Sequence, residues 1–405
     1  MIHIHQKQFS GATYSQQLIK DRNETLLFNL VRKLAPISRA DLARHSGLSP
    51  ATVTVLMEEL LDNQWIRELP PAFLAPQRGR RPILLEVNAA RGYVATVEIL
   101  SRGYICTLYD ICLHCIGTFR SREKAATSAQ VCKDLEALAA AHGVSLDRLL
   151  GIHVLYPGLY DTETSRIGFS AVIDPADNVD AALIDNLSAH FPETHCMLSN
   201  NSTAMAYSVF SQNTAVALPL LALAIDEGIS AGIVTPDRVC TPLEAGHIII
   251  CHNGEPCQCG NRGCLETVCS TPALFQAINR QTDLQLEYQT TYGAECNRIA
   301  ISQVAAALDA GDEKVCRVVS DFARSLCCGI ISMVNLLAIR SVYLGGAVHL
   351  LGEPFLAMME KILAQDFQVI TNSRALQLFL FEDDLEAARK AAVVLTLERL
   401  FQKNE

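Results

Sequence analysis

The chain has 405 residues, 50% of them hydrophobic, with fifteen cysteines and a formal net charge of -10. This is enough apolar chain for two or three cores, and so for several domains. No cationic segment leads into an apolar signal core, and the longest nearly unbroken apolar run, 215–225, is shorter than the ~20 residues that span a bilayer, so a cytoplasmic protein without membrane insertion is expected.

An odd number of widely scattered cysteines in a reducing compartment argues against a disulfide framework, and Cys106, Cys196 and Cys327 read as small core residues. The charge is uneven. Residues 1–91 hold 12 Lys and Arg against 8 Asp and Glu, leaving 21 against 35 for the rest. A basic head on an acidic body points to an anionic partner for the head alone.

Within the head, Leu26, Leu27, Leu30, Val31 and Leu34 recur at helical spacing over residues 23–34, and Pro36 ends the run. Ser38 and Asp41 in "SRAD" form a capping box that opens a short helix, which Gly47 closes. Ser49 and Pro50 then supply an N-cap and an N1 proline for a helix with Val53, Leu56, Met57, Leu60 and Leu61 on its inner stripe. Two helices joined by a tight glycine turn make a helix-turn-helix. "WIREL" and "PILLEV" are predicted strands that flank a wing containing "RGRRP".

In such a module the second helix presents Ala51, Thr52 and Thr54 to base edges in the major groove. Arg39 and Arg44 take phosphates, and the wing arginines Arg78, Arg80 and Arg81 suit the electronegative minor groove. The competing reading is a solvated basic loop beside an ordinary helical hairpin. Capped helices, a glycine turn and a basic wing in succession favour a double-stranded DNA operator as the partner.

The body begins with predicted strands over 93–100 and 105–111, continues with a strand pair over 220–225 and 231–234, and closes with a long helix over 387–401. Between these lies "EPCQCGNRGC", which packs three cysteines into eight positions ten residues after His247. His247, Cys257, Cys259 and Cys264 offer one imidazole and three thiolates, a common composition for a closed structural Zn2+ site. Gly260 and Gly263 let the backbone fold back around one centre. Cys251 and Cys269 are possible substitutes as ligands, and free thiols or a redox switch are the alternatives.

"EAGH" followed by "CQCGNRGCLE" resembles the signature of the ROK family (repressor, open reading frame, kinase). "GIHVLYPGLYD" at 151–161 is similar to its sugar-domain segment, "LGGAV" at 344–348 to its adenosine-side glycine pair, and the winged head to its transcriptional-repressor branch. The resemblance implies an α/β fold in which an N-terminal winged helix-turn-helix (1–88) precedes a two-lobed, actin-like, ribonuclease H-like ROK domain. The first lobe would cover 89–198, completed by the C-terminal helix 386–405, and the second, with the zinc loop, 199–385. It also implies sugar contacts from Glu244, His247 and Glu266, with service to the metal ligands as the bland alternative for the two glutamates.

A family kinase needs a carboxylate base and glycine-rich phosphate loops. Where kinases carry an Asn-Asp pair this chain reads "MLSNNSTAMAY". The alignment puts Ser199 at the acid position, a shifted register puts Asn200 or Asn201 there, and no carboxylate occurs over 197–211. The two phosphate loops appear as "EILSRG" and "DEGISAG", the second with acidic Asp226 and Glu227. The expected protein is therefore a non-enzymatic, sugar-responsive transcriptional repressor of carbohydrate genes. It would be a homodimer or homotetramer that binds a sugar or sugar phosphate effector, with a regulatory protein as a possible further partner. A sugar kinase with an appended DNA-binding head is the alternative.

Overall fold

The computed structural model describes residues 16–70, 82–100, 103–121, 126–158, 160–161, 163–164, 166–168, 170, 173, 179–212, 216–237, 240–287, 295–367, 376–381 and 385–401. The head consists of α1 (Gln16–Leu34), β1 (Ile37–Ser38), α2 (Arg39–Ser46), α3 (Pro50–Asp62), β2 (Ile66–Glu68) and β3 (Leu84–Val87), its strands in the order β1-β3-β2. α1 starts seven residues before the predicted Asn23, because its apolar face extends only over the C-terminal half while Lys20 is held by Glu59 of α3 at 2.8 Å.

The predicted caps form. Ser38 Oγ accepts from Asp41 N at 3.2 Å and donates to Asp41 Oδ2 at 2.7 Å, so the carboxylate returns to the capping hydroxyl. Gly47 adopts the left-handed conformation, φ 72°, that ends α2. Ser49 Oγ accepts from Thr52 N, and Pro50 opens α3.

The body follows with β4 (Tyr93–Ile99), β5 (Tyr104–Asp110), β6 (Cys115–Arg120), α4 (Ser128–Ala141), β7 (Leu149–Tyr156), α5 (Leu183–His190), β8 (His195–Asn200) and α6 (Asn201–Gln212). Next come β9 (Leu220–Ile225), β10 (Ile229–Val234), β11 (Cys240–Leu243), α7 (Glu266–Cys269), α8 (Thr271–Gln281), α9 (Glu295–Asp309) and α10 (Glu313–Leu337). The chain ends with β12 (Ser341–Gly346), α11 (Gly352–Asp366), β13 (Gln377–Leu380) and α12 (Leu385–Phe401).

Two five-stranded sheets result, β6-β5-β4-β7-β8 and β11-β10-β9-β12-β13. Each is an antiparallel meander with two parallel strands added by helical crossovers, so the two halves repeat one strand order. Central strands such as β9 are buried along their length, which explains their continuous apolar runs. β8 pairs with β7 as far as Tyr156 and Asn200, so the first sheet continues two residues beyond the expected lobe boundary at 198.

α10 is long and apolar enough to pass for a membrane span by length and composition. Its Val315, Val319, Phe322, Leu326, Ile330 and Val334 are instead buried in the core of the second half. Every cysteine whose side chain is described is a free thiol. Cys106 and Cys327 are buried, and burial pushes the Cys327 thiol up to about 12, as for an inert core residue.

The head and the body share one core. Leu27, Phe28, Val31 and Leu85 of the head pack with Tyr109 and Ile111 beyond β4, and with Val393, Leu397 and Phe401 of α12. Trp65 sits in this seam, 4.8 Å from the Phe401 ring and 5.8 Å from Phe28, under the guanidinium of Arg91.

Candidate functional site: a thiol-imidazole cluster beside an acidic cleft

The loop after His247 folds back as a tight hairpin. Cys257 N donates to Asn261 O, Gly263 N to Glu255 O, and Ile250 N to Gly263 O. Gly263 has φ 72°, and a Cβ there would lie 1.6 Å from Cys251 O, so no other residue closes the turn. The outcome is that His247, Cys257, Cys259 and Cys264 place their ligand atoms within 4.8 Å of one another.

The spacings suit a metal. Bonds of about 2.3 Å to sulfur and about 2.1 Å to nitrogen in a tetrahedron put the donors about 3.6–3.8 Å apart. Cys259 Sγ lies 3.6 Å from Cys264 Sγ, and Cys257 Sγ 3.6 Å from His247 Nδ1. Neither alternative thiol belongs to the cluster. Cys251 is exposed, and Cys269 is buried with its Sγ toward Phe322 O.

His247 faces two ways. Its Nδ1 points at the thiols while Nε2 lies 3.9 Å from Glu244 Oε2. Glu266 opens α7 two residues after Cys264, and its Oε2 accepts from Ile229 N at 2.9 Å. A Cβ on Gly228 would come within 2.6 Å of Glu266 Oε2, so the missing side chain makes room for that carboxylate. Glu244, His247 and Glu266 line one cleft together with Pro157 and Gly158 of the expected sugar segment, Asn200, Asn201 and Asp226.

The three residues left open by the sequence have different surroundings. Ser199 turns away from the cleft and donates to His153 Nε2 at 2.7 Å. His153 is fully buried, and burial pushes it down to about 4, so it is a neutral imidazole. Its Nδ1 donates to Thr396 of α12 at 2.8 Å, since the Thr396 hydroxyl itself donates to Ala392 O.

Asn200 caps α6 by accepting from Ser202 N and donates to Gly158 O. Asn201 follows, its buried Oδ1 without a hydrogen-bond partner among the described residues. Of the three candidates, Asn200 and Asn201 line the cleft, and both are amides.

The chain's own groups meet carboxylates at or beside both expected phosphate loops. Glu98 lies one residue before the end of β4, the strand that leads into the first, and it is buried and paired with Arg389 of α12 at 3.3 Å. Burial pushes its carboxyl upward, and the Arg389 charge opposes that. In the second, Asp226 Oδ1 accepts from Ala347 N at 2.8 Å. Gly346, φ 74°, lets β12 turn against that carboxylate, since a Cβ there would meet Asp226 Oδ2 at 2.8 Å. The glycine pair of "LGGAV" therefore serves a close backbone turn.

On the head, Ala51 and Thr54 are exposed near the N-terminus of α3, and Thr52 is half-buried. Arg39 pairs with Glu68 at 3.1 Å, and Arg44 pairs with Asp41. Arg78, Arg80 and Arg81 lie outside the described residues.

Sequence reasoning missed the polar seam between head and body. Asn29 of α1 and Tyr207 of α6 both donate to Glu398 Oε1, at 2.7 and 2.6 Å, and Lys33 donates to Ser211 O at 2.7 Å.

The sequence pattern of the ROK family matches residues 114–377. The chain belongs to the ROK family. Among ROK relatives, the DNA-binding transcriptional dual regulator NagC of Escherichia coli K12 is 24% identical over 373 residues, covering 89% of this chain and 87% of NagC. The xylose repressor of Bacillus subtilis is 27% identical over 286 residues, 68% of this chain and 72% of the repressor.

Among solved structures, a ROK family transcriptional regulator described as a homolog of E. coli Mlc aligns over 95% of this chain and 98% of its own, with TM-score 0.73 and 23% identity. A ROK hexokinase from Thermus thermophilus aligns over 76% of this chain and 99% of its own, with TM-score 0.56 and 20% identity. The ROK body is thus common to regulators and kinases, and the actin-like α/β fold follows.

Proposed function

We propose that this chain is a sugar-responsive, DNA-binding transcriptional regulator, and in particular a repressor of carbohydrate uptake or catabolism genes. The observation that carries this reading is the extent of the similarity: it reaches across 89% of the chain to NagC, whereas the hexokinase aligns over only 76%. The head supplies the chemistry. It is read as a winged helix-turn-helix in which α3 enters the major groove with Ala51, Thr52 and Thr54 toward base edges. Arg39 and Arg44 exchange their surface carboxylates, which hold them weakly, for phosphates. Arg78, Arg80 and Arg81 follow the minor groove. A homodimer, or a tetramer built from it, presents two heads to a palindromic operator.

In the body, His247 Nδ1, Cys257, Cys259 and Cys264 would hold Zn2+, which would supply structural rigidity to the loop. With Nδ1 so engaged, the imidazole would present Nε2, together with Glu244 and Glu266, to sugar hydroxyls. Binding at the cleft changes DNA affinity through the lobes and α6, by a differential affinity for two arrangements of the head.

The kinase alternative has the shared fold in its favour. Against it stand an amide at Asn201 and carboxylates at Asp226 and Glu227 where triphosphate would need donors. A gel-shift titration against DNA upstream of the chain's own gene and of neighbouring sugar genes, repeated with a sugar panel, tests the regulator. Specific retardation relieved by one sugar is the expected result. No retardation at moderate salt, together with ATP-dependent sugar phosphorylation, would establish the kinase instead.

A further inference from the structure

We propose that the cleft takes an unphosphorylated, uncharged sugar and rejects sugar phosphates. This rests on the sugar-responsive reading above and narrows its effector to one chemical class.

The charges on the cleft wall come first. Asp226, Glu244 and Glu266 line it, and the described lining contains no Lys or Arg. The cleft adjoins a larger groove through Gly228 and Glu266, which border both. Among the described residues, Glu227, Glu255 and Asp321 line that groove, against one guanidinium, that of Arg280 on the last turn of α8. A phosphate ester on a sugar seated among Glu244, His247 and Glu266 meets carboxylates both inside the cleft and beyond it.

Backbone donors are the usual remedy when cations are absent, since helix N-termini and glycine turns bind phosphate through free N–H groups. Here the chain's own oxygens have taken three of them. Asn200 Oδ1 holds Ser202 N at the start of α6, Glu266 Oε2 holds Ile229 N, and Asp226 Oδ1 holds Ala347 N.

What remains suits neutral hydroxyls. A sugar O–H donates to a carboxylate, whereas a phosphate dianion has no proton to give. Asn201 Oδ1 is a buried acceptor in need of a donor, and a hydroxyl supplies one. Burial pushes the carboxyls of Asp226 and Glu227 upward, and at Glu227 the neighbouring Asp226 charge acts in the same direction, so this corner already resists negative charge.

The test is calorimetric titration of the full-length, zinc-replete chain with matched probes: glucose and glucose 6-phosphate, N-acetylglucosamine and its 6-phosphate, and xylose. At least one free sugar should bind saturably, and where its ester exists the ester should bind at least about 30-fold more weakly, the scale of a like-charge juxtaposition. Glu227→Gln should narrow that ratio without abolishing binding of the free sugar. An ester that binds as tightly as its free sugar, or no free sugar binding at all, overturns the proposal.

DNA retardation by the same preparation keeps the two readings apart. Release of DNA by a sugar phosphate would preserve the regulator and remove this inference, whereas sugar binding without DNA retardation would do the reverse.

Discussion

Asn29 in the first helix and Glu398 in the last are 369 positions apart and joined by a 2.7 Å hydrogen bond. The same Glu398 oxygen accepts from Tyr207 of α6, whose first residue, Asn201, lines the cleft. Near the other end of α6, the Ser211 carbonyl accepts from Lys33 of the head. A rigid rod of twelve residues, about 18 Å long, therefore reaches from the cleft to the head.

Glu398→Ala removes the acceptor shared by Asn29 and Tyr207 and leaves a half-buried amide and hydroxyl unpaired, at a cost of about 1–3 kcal/mol. Thermal denaturation should show the loss. Under the regulator reading, operator affinity without sugar should change less than about threefold, while the change in affinity at saturating sugar should shrink by about fivefold or more. An undiminished sugar response would exclude this seam from the coupling.

Cys259→Ser should lose the bound metal and destabilise the cleft side of the second half, with elemental analysis and proteolysis as readouts. Cys251→Ser is the control, because that thiol is exposed and outside the cluster. A full complement of zinc in Cys259→Ser would refute the ligand set.

His153 has a pH signature. Its folded value of about 4 lies below the ordinary 6.5, so on acidification the unfolded chain takes the proton first. Stability from this group is complete above about pH 6.5 and drains away as pH falls toward 4, on the order of 3 kcal/mol in all. Urea midpoints at pH 7 and pH 5 should differ less for His153→Gln than for the parent chain. An equal difference in both would mean that other groups dominate acid sensitivity.

Arg80→Ala should weaken operator binding and lower the dependence of log affinity on log salt by about one, as loss of one phosphate contact does. Thr54→Ala, by contrast, should alter discrimination between operator sequences while leaving the salt slope in place. Unchanged affinity and slope for Arg80→Ala would remove the wing from the interface.

Much of this was legible in the sequence because the signals are local. The caps at Ser38, Ser49 and Gly47 depend on residues within four positions, and the cluster around Cys257 depends on ligand spacing and glycine. Alternating and continuous apolar runs placed β4, β5, β9 and β10 to within a few residues. What stayed hidden depends on distant partners. Ser199, Asn200 and Asn201 are chemically similar neighbours, and only the fold decides that the first faces His153 while the third faces the cleft. The Glu98–Arg389 pair spans 291 positions and has no local pattern at all.

The chain contains a single tryptophan, and it is Trp65, wedged between Phe28, Phe401 and Arg91 where the head meets the C-terminal helix. Its indole emission therefore comes from one known place and carries no background from the rest of the protein. Any rearrangement that parts these rings changes the wavelength and quenching of that one signal, so the molecule is fitted by its own composition with an optical gauge of the joint.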